Sequence, residues 1–258
     1  MNTNKNQVTA VNLLWIRLHW CPLAVKPEYR ILHQLMRALL ISTTLLALAL
    51  DSPAAQPPSA KEILTSVRLE QAQRQLDLQG QLRENDKVIP FRLTQSGPVI
   101  RYVFANPDQT LQLRLGENDS KLEEVTRGGV DKITAAEFDQ KVRGTGVTYE
   151  DLALKFLYWP NARVAGEESI RTRNCWKLEL KAPSRQSQYS NVFLWIDKGG
   201  GALMRMEGYD WTGHLSKRFE VVSAQKIEGA WFLKQMRIEE IQPATGKVVG
   251  RSYLEIKK

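Results

Sequence analysis

The stretch from residue 189 to residue 222, YSNVFLWIDKGGGALMRMEGYDWTGHLSKRFEVV, constrains the fold more than any other part of the chain. Residues 192–197 are β-branched and aromatic, the composition of a strand. Gly199, Gly200 and Gly201 then supply a turn, because glycine reaches positive φ without steric cost. Residues 203–209 run back, residues 210–213 (DWTG) turn again, and residues 215–222 form a third strand. Such a meander exposes unpaired edges and requires a larger sheet around it. Alternation puts Phe193 and Trp195 on one face and Val192, Leu194 and Ile196 on the other. One face is core, and the other needs a cover or a ligand.

The rest of the chain extends this pattern. Ser59 with Glu62 three residues on is a capping box, and Ile63, Leu64 and Val67 continue it as an amphipathic helix to about residue 73. Residues 76–82 alternate as a half-buried strand, with Gly80 marking a bulge or bend. Further strands are expected at 88–94, 99–105, 110–115 and 121–126, with turn residues between them. The middle differs. Thr134 with Glu137 opens a short helix to about Val142, and Thr148 caps a helix over 149–157 that Trp159-Pro160 ends. Strands resume at 163–168 and 171–182, and after the meander at 224–227, 231–241 and 247–256. The expectation is a mainly antiparallel α+β protein of about eleven strands and three short helices, too many strands for a small open sheet without strong curvature.

The N-terminal quarter reads as targeting sequence. Residues 38–50 (ALLISTTLLALAL) are apolar, follow Arg37 and precede DSPAA: an n-region, an h-region and small residues at a cleavage site. The run is short of the roughly 20 residues that a membrane span needs. A signal peptide over 36–54 is expected, the alternative being a short buried helix or an uncleaved anchor; residues 1–35 read as an upstream extension from a start misassigned to Met1 rather than Met36, or else as a long n-region. Residues 55–258 then form the mature domain, with a periplasmic address. The leader holds Lys5, Arg17, Lys26, Arg30 and Arg37 against Glu28 and Asp51, so it contributes +3 of the net charge of +8. What remains is mildly basic and scattered. No basic run with interleaved aromatics marks a nucleic-acid surface.

Enzyme chemistry finds few residues to work with. His214 is the only histidine after the leader, in the turn Thr212-Gly213-His214, without a spaced partner for a triad. Cys175 is the only cysteine there and reads as a packing residue. No CxxC or HExxH spacing prepares a metal site, no cofactor motif is present, and the triple glycine is followed by strand, not by the helix of a phosphate loop. Glu150-Asp151 reads as helix N-terminal charge and Glu167-Glu168 as a solvated edge. The expectation is that the protein is not an enzyme.

Several segments carry a family likeness: Thr148-Tyr149-Glu150-Asp151-Leu152, Phe156-Leu157-Tyr158-Trp159-Pro160, Val164-Ala165-Gly166-Glu167-Glu168, Leu194-Trp195-Ile196-Asp197-Lys198, Arg205-Met206-Glu207-Gly208-Tyr209-Asp210 and Gly213-His214-Leu215. With the order of elements, they resemble the periplasmic outer-membrane lipoprotein-sorting proteins of the LolA/LolB-like superfamily. The resemblance implies an incomplete, half-open barrel around an apolar cavity, with helices as a lid. It implies a monomeric carrier or chaperone that takes acyl chains of lipoproteins or other lipids toward the outer membrane, exchanging them with inner- and outer-membrane transport proteins. The alternative on the same fold is a periplasmic interaction or stress-sensor module that binds a protein partner or a lipid signal.

The apolar excess names the cavity candidates. Met204 and Met206 alternate with Arg205 and Glu207, and methionine adapts to irregular ligands. Trp195, Trp211, Phe219, Trp231 and Met236 are expected to line the same concavity, and Phe156, Tyr158 and Trp159 to belong to the lid. The alternative for each is ordinary barrel core.

Overall fold

The computed structural model describes residues 57–227 and 230–257. The signal peptide and upstream extension expected over 1–54 lie outside the described residues.

The first helix, α1 (Ala60–Ala72), begins where the capping box places it: the Ser59 side chain accepts from the Glu62 N–H, and the Glu62 carboxylate accepts from the Ser59 N–H at 2.7 Å. Six strands follow: β1 (Gln75–Glu84), β2 (Lys87–Ser96), β3 (Val99–Phe104), β4 (Gln109–Leu115), β5 (Ser120–Thr126) and β6 (Gly129–Lys132). A connecting segment carries 3-10 turns at Ala135–Glu137 and Val142–Gly144, the helix α2 (Tyr149–Ala153) and another 3-10 turn at Lys155–Tyr158. Seven strands complete the chain: β7 (Asn161–Ile170), β8 (Arg173–Lys181), β9 (Asn191–Asp197), β10 (Leu203–Tyr209), β11 (Leu215–Ile227), β12 (Ala230–Ile241) and β13 (Val248–Lys257).

All thirteen strands form one antiparallel sheet in the order β6-β5-β4-β3-β2-β1-β13-β12-β11-β10-β9-β8-β7. It is two meanders joined at their outer ends in sequence. The first and last strands of the chain pair in the middle of the sheet, from Gln79↔Lys257 to Glu84↔Ser252. The sheet does not close, since β6 and β7 are its two edges. This is the half-open antiparallel architecture expected, with thirteen strands where about eleven were read. The short β6 is wholly exposed and has no apolar alternation to announce it.

Rows of apolar residues cross the inner face. Leu178, Leu194, Met206, Phe219 and Ile238 are successive cross-strand partners from β8 to β12. Ile89, Leu82, Leu254, Met236 and Val221 form a second such row from β2 to β11. The connecting segment packs on this face, where Ser120 donates to the Ala153 carbonyl at 2.5 Å.

Four local readings need correction. Gly80 makes no bulge: pairing runs unbroken through it on both sides. It is glycine because a Cβ there would sit 2.5 Å from the Phe91 ring. The helix expected over 149–157 breaks after Ala153, where Leu154 takes a left-handed φ of 53°. The helix expected after Thr134 forms only 3-10 turns, although its capping box is present. The strands read at 215–222 and 224–227 are one strand, β11, with register shifts near Ser223.

Candidate functional site

An apolar cavity lies between the inner face of the sheet and the connecting segment. Phe91, Tyr102, Phe219, Leu233, Met236 and Leu254 line it from the strands, and Val147, Leu152 and Leu154 close it from above. Its volume is about 60 Å3, room for about two waters at roughly 30 Å3 each. Small-molecule sites run to about 300–1,000 Å3. The cavity falls well short of that range, so a ligand the size of an acyl chain would need α2 and Leu154 to move away.

What holds them is polar. Asp151 follows the cap residue Thr148 and faces the cavity. Lys217 of β11 donates to Asp151 Oδ2 at 2.8 Å, with both side chains buried. Tyr189, fully buried, donates its phenol to Asp151 Oδ1 at 2.6 Å. Thr148 donates its N–H and its hydroxyl to Oδ2 at 2.8 and 2.9 Å. The carboxylate thus takes four protein donors, which is how a buried charge is tolerated. Burial, then the neighbouring Asp151 charge, pushes the Tyr189 phenol well above its ordinary 10. Glu150 faces the other way. It accepts from the Ser187 hydroxyl and from the Gln188 N–H at 2.8 Å, and burial raises its carboxyl above the ordinary 4.5. Two adjacent acids therefore pin one short helix to β11 and to the loop before β9.

The expected cavity residues divide by sheet face. Phe219 and Met236 line the cavity. Met204 and Met206 are buried in the same core without reaching it, and Trp231 packs against that core while half-exposed. Trp195 lies on the outer face, in register with Lys177 and Arg205. Its indole donates to Glu168 at 3.0 Å, and Lys177 and Arg205 sit 4.9 and 5.4 Å from its ring. On the outer face, Lys177 and Arg205 lie over the aromatic rings as cation–π partners. Trp211 stands in the β10–β11 turn, where its indole donates to the Ser187 carbonyl at 2.8 Å. Among the lid candidates, Phe156 is buried in the core, Tyr158 donates to the Gly116 carbonyl at 3.1 Å, and Trp159 is buried at the end of the segment. The side chains that close the cavity are instead Val147, Leu152 and Leu154.

Sequence reasoning missed Asp151, Lys217 and Tyr189. The Thr148–Asp151 capping pattern was visible, but its acid looked like ordinary helix-end charge. Nothing local links it to a lysine 66 positions away. Cys175 is fully buried, and burial pushes its thiol up to about 11, which disfavours the thiolate. His214 donates its backbone N–H to the Asp210 carboxylate at 3.0 Å and contacts Thr212 by its ring within an exposed turn. Among the described residues no group of three or more His, Cys, Asp or Glu is placed to hold a metal.

Comparison places this geometry among known folds. A family model described as an uncharacterized protein matches residues 126–257. No curated protein matches. A DUF1329 family protein from Desulfovibrio piger ATCC 29098 is similar at 20% identity and TM-score 0.57, over 77% of this chain and 90% of that one. A domain assigned as an outer membrane lipoprotein-sorting protein from Vibrio parahaemolyticus matches at 15% identity and TM-score 0.54, over 70% and 82%. A LolA superfamily protein from Nitrosomonas europaea matches at 17% identity and TM-score 0.55, over 78% and 93%. The fold is LolA-like, as the sequence motifs implied.

Proposed function

We propose, from the premise that this chain belongs to the family of uncharacterized proteins matched over 126–257 and has the LolA-like fold, that it is a carrier holding acyl chains of lipoproteins or lipids on the inner face of its sheet. The observation that carries this reading is the apolar cavity roofed by a five-residue helix that four buried hydrogen bonds to one carboxylate keep in place. A core needing only stability would fill such a space with side chains. Here the roof is short, separately latched and followed by a residue of left-handed backbone, so it can lift as a unit. Uptake would exchange water against acyl surface at about 25 cal/mol per Å2 buried. No covalent step is needed. The carrier works in the periplasm after removal of residues 36–54, as a monomer that exchanges cargo with transport proteins at the two membranes.

The test is mass spectrometry of an organic extract of the protein, expressed from Met36 and purified without detergent, together with uptake of a fluorescent acyl probe. A bound acyl lipid, or probe uptake that is faster in Tyr189→Phe than in wild type, is the expected result. An empty protein that takes no probe in either form overturns the carrier reading and leaves the partner-binding module.

A further inference from the structure

The segment that closes the apolar cavity has a second side. Beneath its end lies a separate pocket of about 320 Å3, within the size range of about 300–1,000 Å3 for small-molecule sites. Its apolar wall is Phe138, Tyr158 and Trp159, with Pro160 and Pro183 beside them. Aromatic and prolyl walls with a few placed polar groups are what such sites are built from.

The polar groups sort by whether the protein already uses them. Both acids are occupied. Asp119 takes two bonds from the Lys155 ammonium, at 3.0 and 3.3 Å. The two oxygens of Glu150 take the Ser187 hydroxyl and the Gln188 N–H. The donors are not used up. Lys155 spends two of its three ammonium hydrogens on Asp119. Lys132, exposed on β6, has no side-chain partner among the described residues. The Trp159 indole N–H likewise has none there, although the residue is only 8% exposed. Among its charged groups the acids are therefore satisfied and the lysines are not, while Asn118 and Gln186 add neutral amides to the lining.

We propose that this pocket binds a small carboxylate with an aromatic or apolar body, the carboxylate against Lys132 and Lys155 and the body against Phe138 and Trp159. Charge-assisted bonds from two lysines favour an anion. A cation meets those same lysines, and its natural partners Asp119 and Glu150 are taken. The site is independent of acyl binding, since it shares no lining residue with the apolar cavity.

Phenylacetate is the probe, with phenylacetamide and phenethylamine as neutral and cationic controls of the same body. The readout is the Trp159 indole 1H–15N resonance of residues 55–258 labelled with 15N, assigned through Trp159→Phe. Phenylacetate is expected to move that resonance saturably, the amide to bind about tenfold more weakly and the amine not at all. Lys132→Gln, on an exposed edge, should weaken phenylacetate severalfold without changing thermal unfolding, and Lys155→Gln should weaken it too while also losing its bonds to Asp119. No saturable shift, an equal response to all three probes, or wild-type affinity in both variants overturns the proposal. The acyl probe is titrated on the same samples. Phenylacetate binding without acyl uptake counts against the carrier reading alone, and acyl uptake without phenylacetate binding counts against this pocket alone.

Discussion

Gly208 and Tyr189 fit each other as a seat fits a ring. A Cβ on Gly208 would stand 2.4 Å from the Tyr189 ring, and the ring cannot retreat because its phenol is fixed on Asp151. Gly208→Ala is therefore expected to lose about 1–3 kcal/mol, the usual cost of overpacking, and chemical denaturation would read it. Gly80→Ala repeats the experiment against Phe91. Neither glycine was legible for what it is. Local pattern offers turn or bulge, whereas the reason for each is a ring arriving from another strand or loop. Glu150 makes a pH prediction. Burial, then the adjacent Asp151 charge, holds its proton in the folded chain above the ordinary 4.5, against the opposing bonds from Ser187 and Gln188. The folded state therefore binds a proton that the unfolded chain has released, and this group's contribution falls as pH rises from 4.5 through the raised value. Glu150→Gln should remove that part of the slope, so melting curves across this window should be flatter in the variant. An unchanged slope would show that another group carries it.

Among the elements, α2 is the one whose stability is not its own. Five residues cannot hold a helix in water, so its place depends on the Asp151 cluster. Lys217→Met leaves the Asp151 charge buried without its ion-pair partner and should cost about 3–5 kcal/mol. Asp151→Asn with Lys217→Met should recover most of that, because the uncompensated charge is then gone. Equal loss in the single and double variants, measured by denaturant unfolding, would mean that the pair does not act as a unit. Element by element, much was readable: the α1 cap, most strand positions and the alternation along β9 stand as the residues indicated. Which face of β9 turns inward was not readable. Apolar side chains occupy both sides, and only the cross-strand neighbours Lys177 and Arg205 make the Trp195 side the outer one. The short lid was likewise hidden, since the sequence from 149 to 157 is compatible with an unbroken helix and the break at Leu154 comes from how the segment packs.

At the scale of the molecule, the architecture was legible because it is written in repetition, strand after turn after strand. Sheet order was not, since it depends on which distant strands meet. The decisive pair is β1 with β13, which joins two meanders that are otherwise bridged by the connecting segment and by α1 against β7. A chain ended at Thr245 lacks β13 and is expected to lose cooperative unfolding, with separate, shallow transitions seen by circular dichroism in place of one. A single sharp transition in that truncation would show that the halves hold together without the central pair.

The same pairing has a consequence for the order in which the protein is made. The ten-residue strand β13 follows every other described strand in sequence, yet it belongs in the middle of the sheet, between β1 and β12. Until it arrives, each half presents an unpaired central strand as well as its permanent edge. Such strands invite pairing with other chains. A copy in which β13 has not yet docked is therefore at its most adhesive along β1 and β12, and whatever accompanies this chain while it folds has to guard the middle of the sheet.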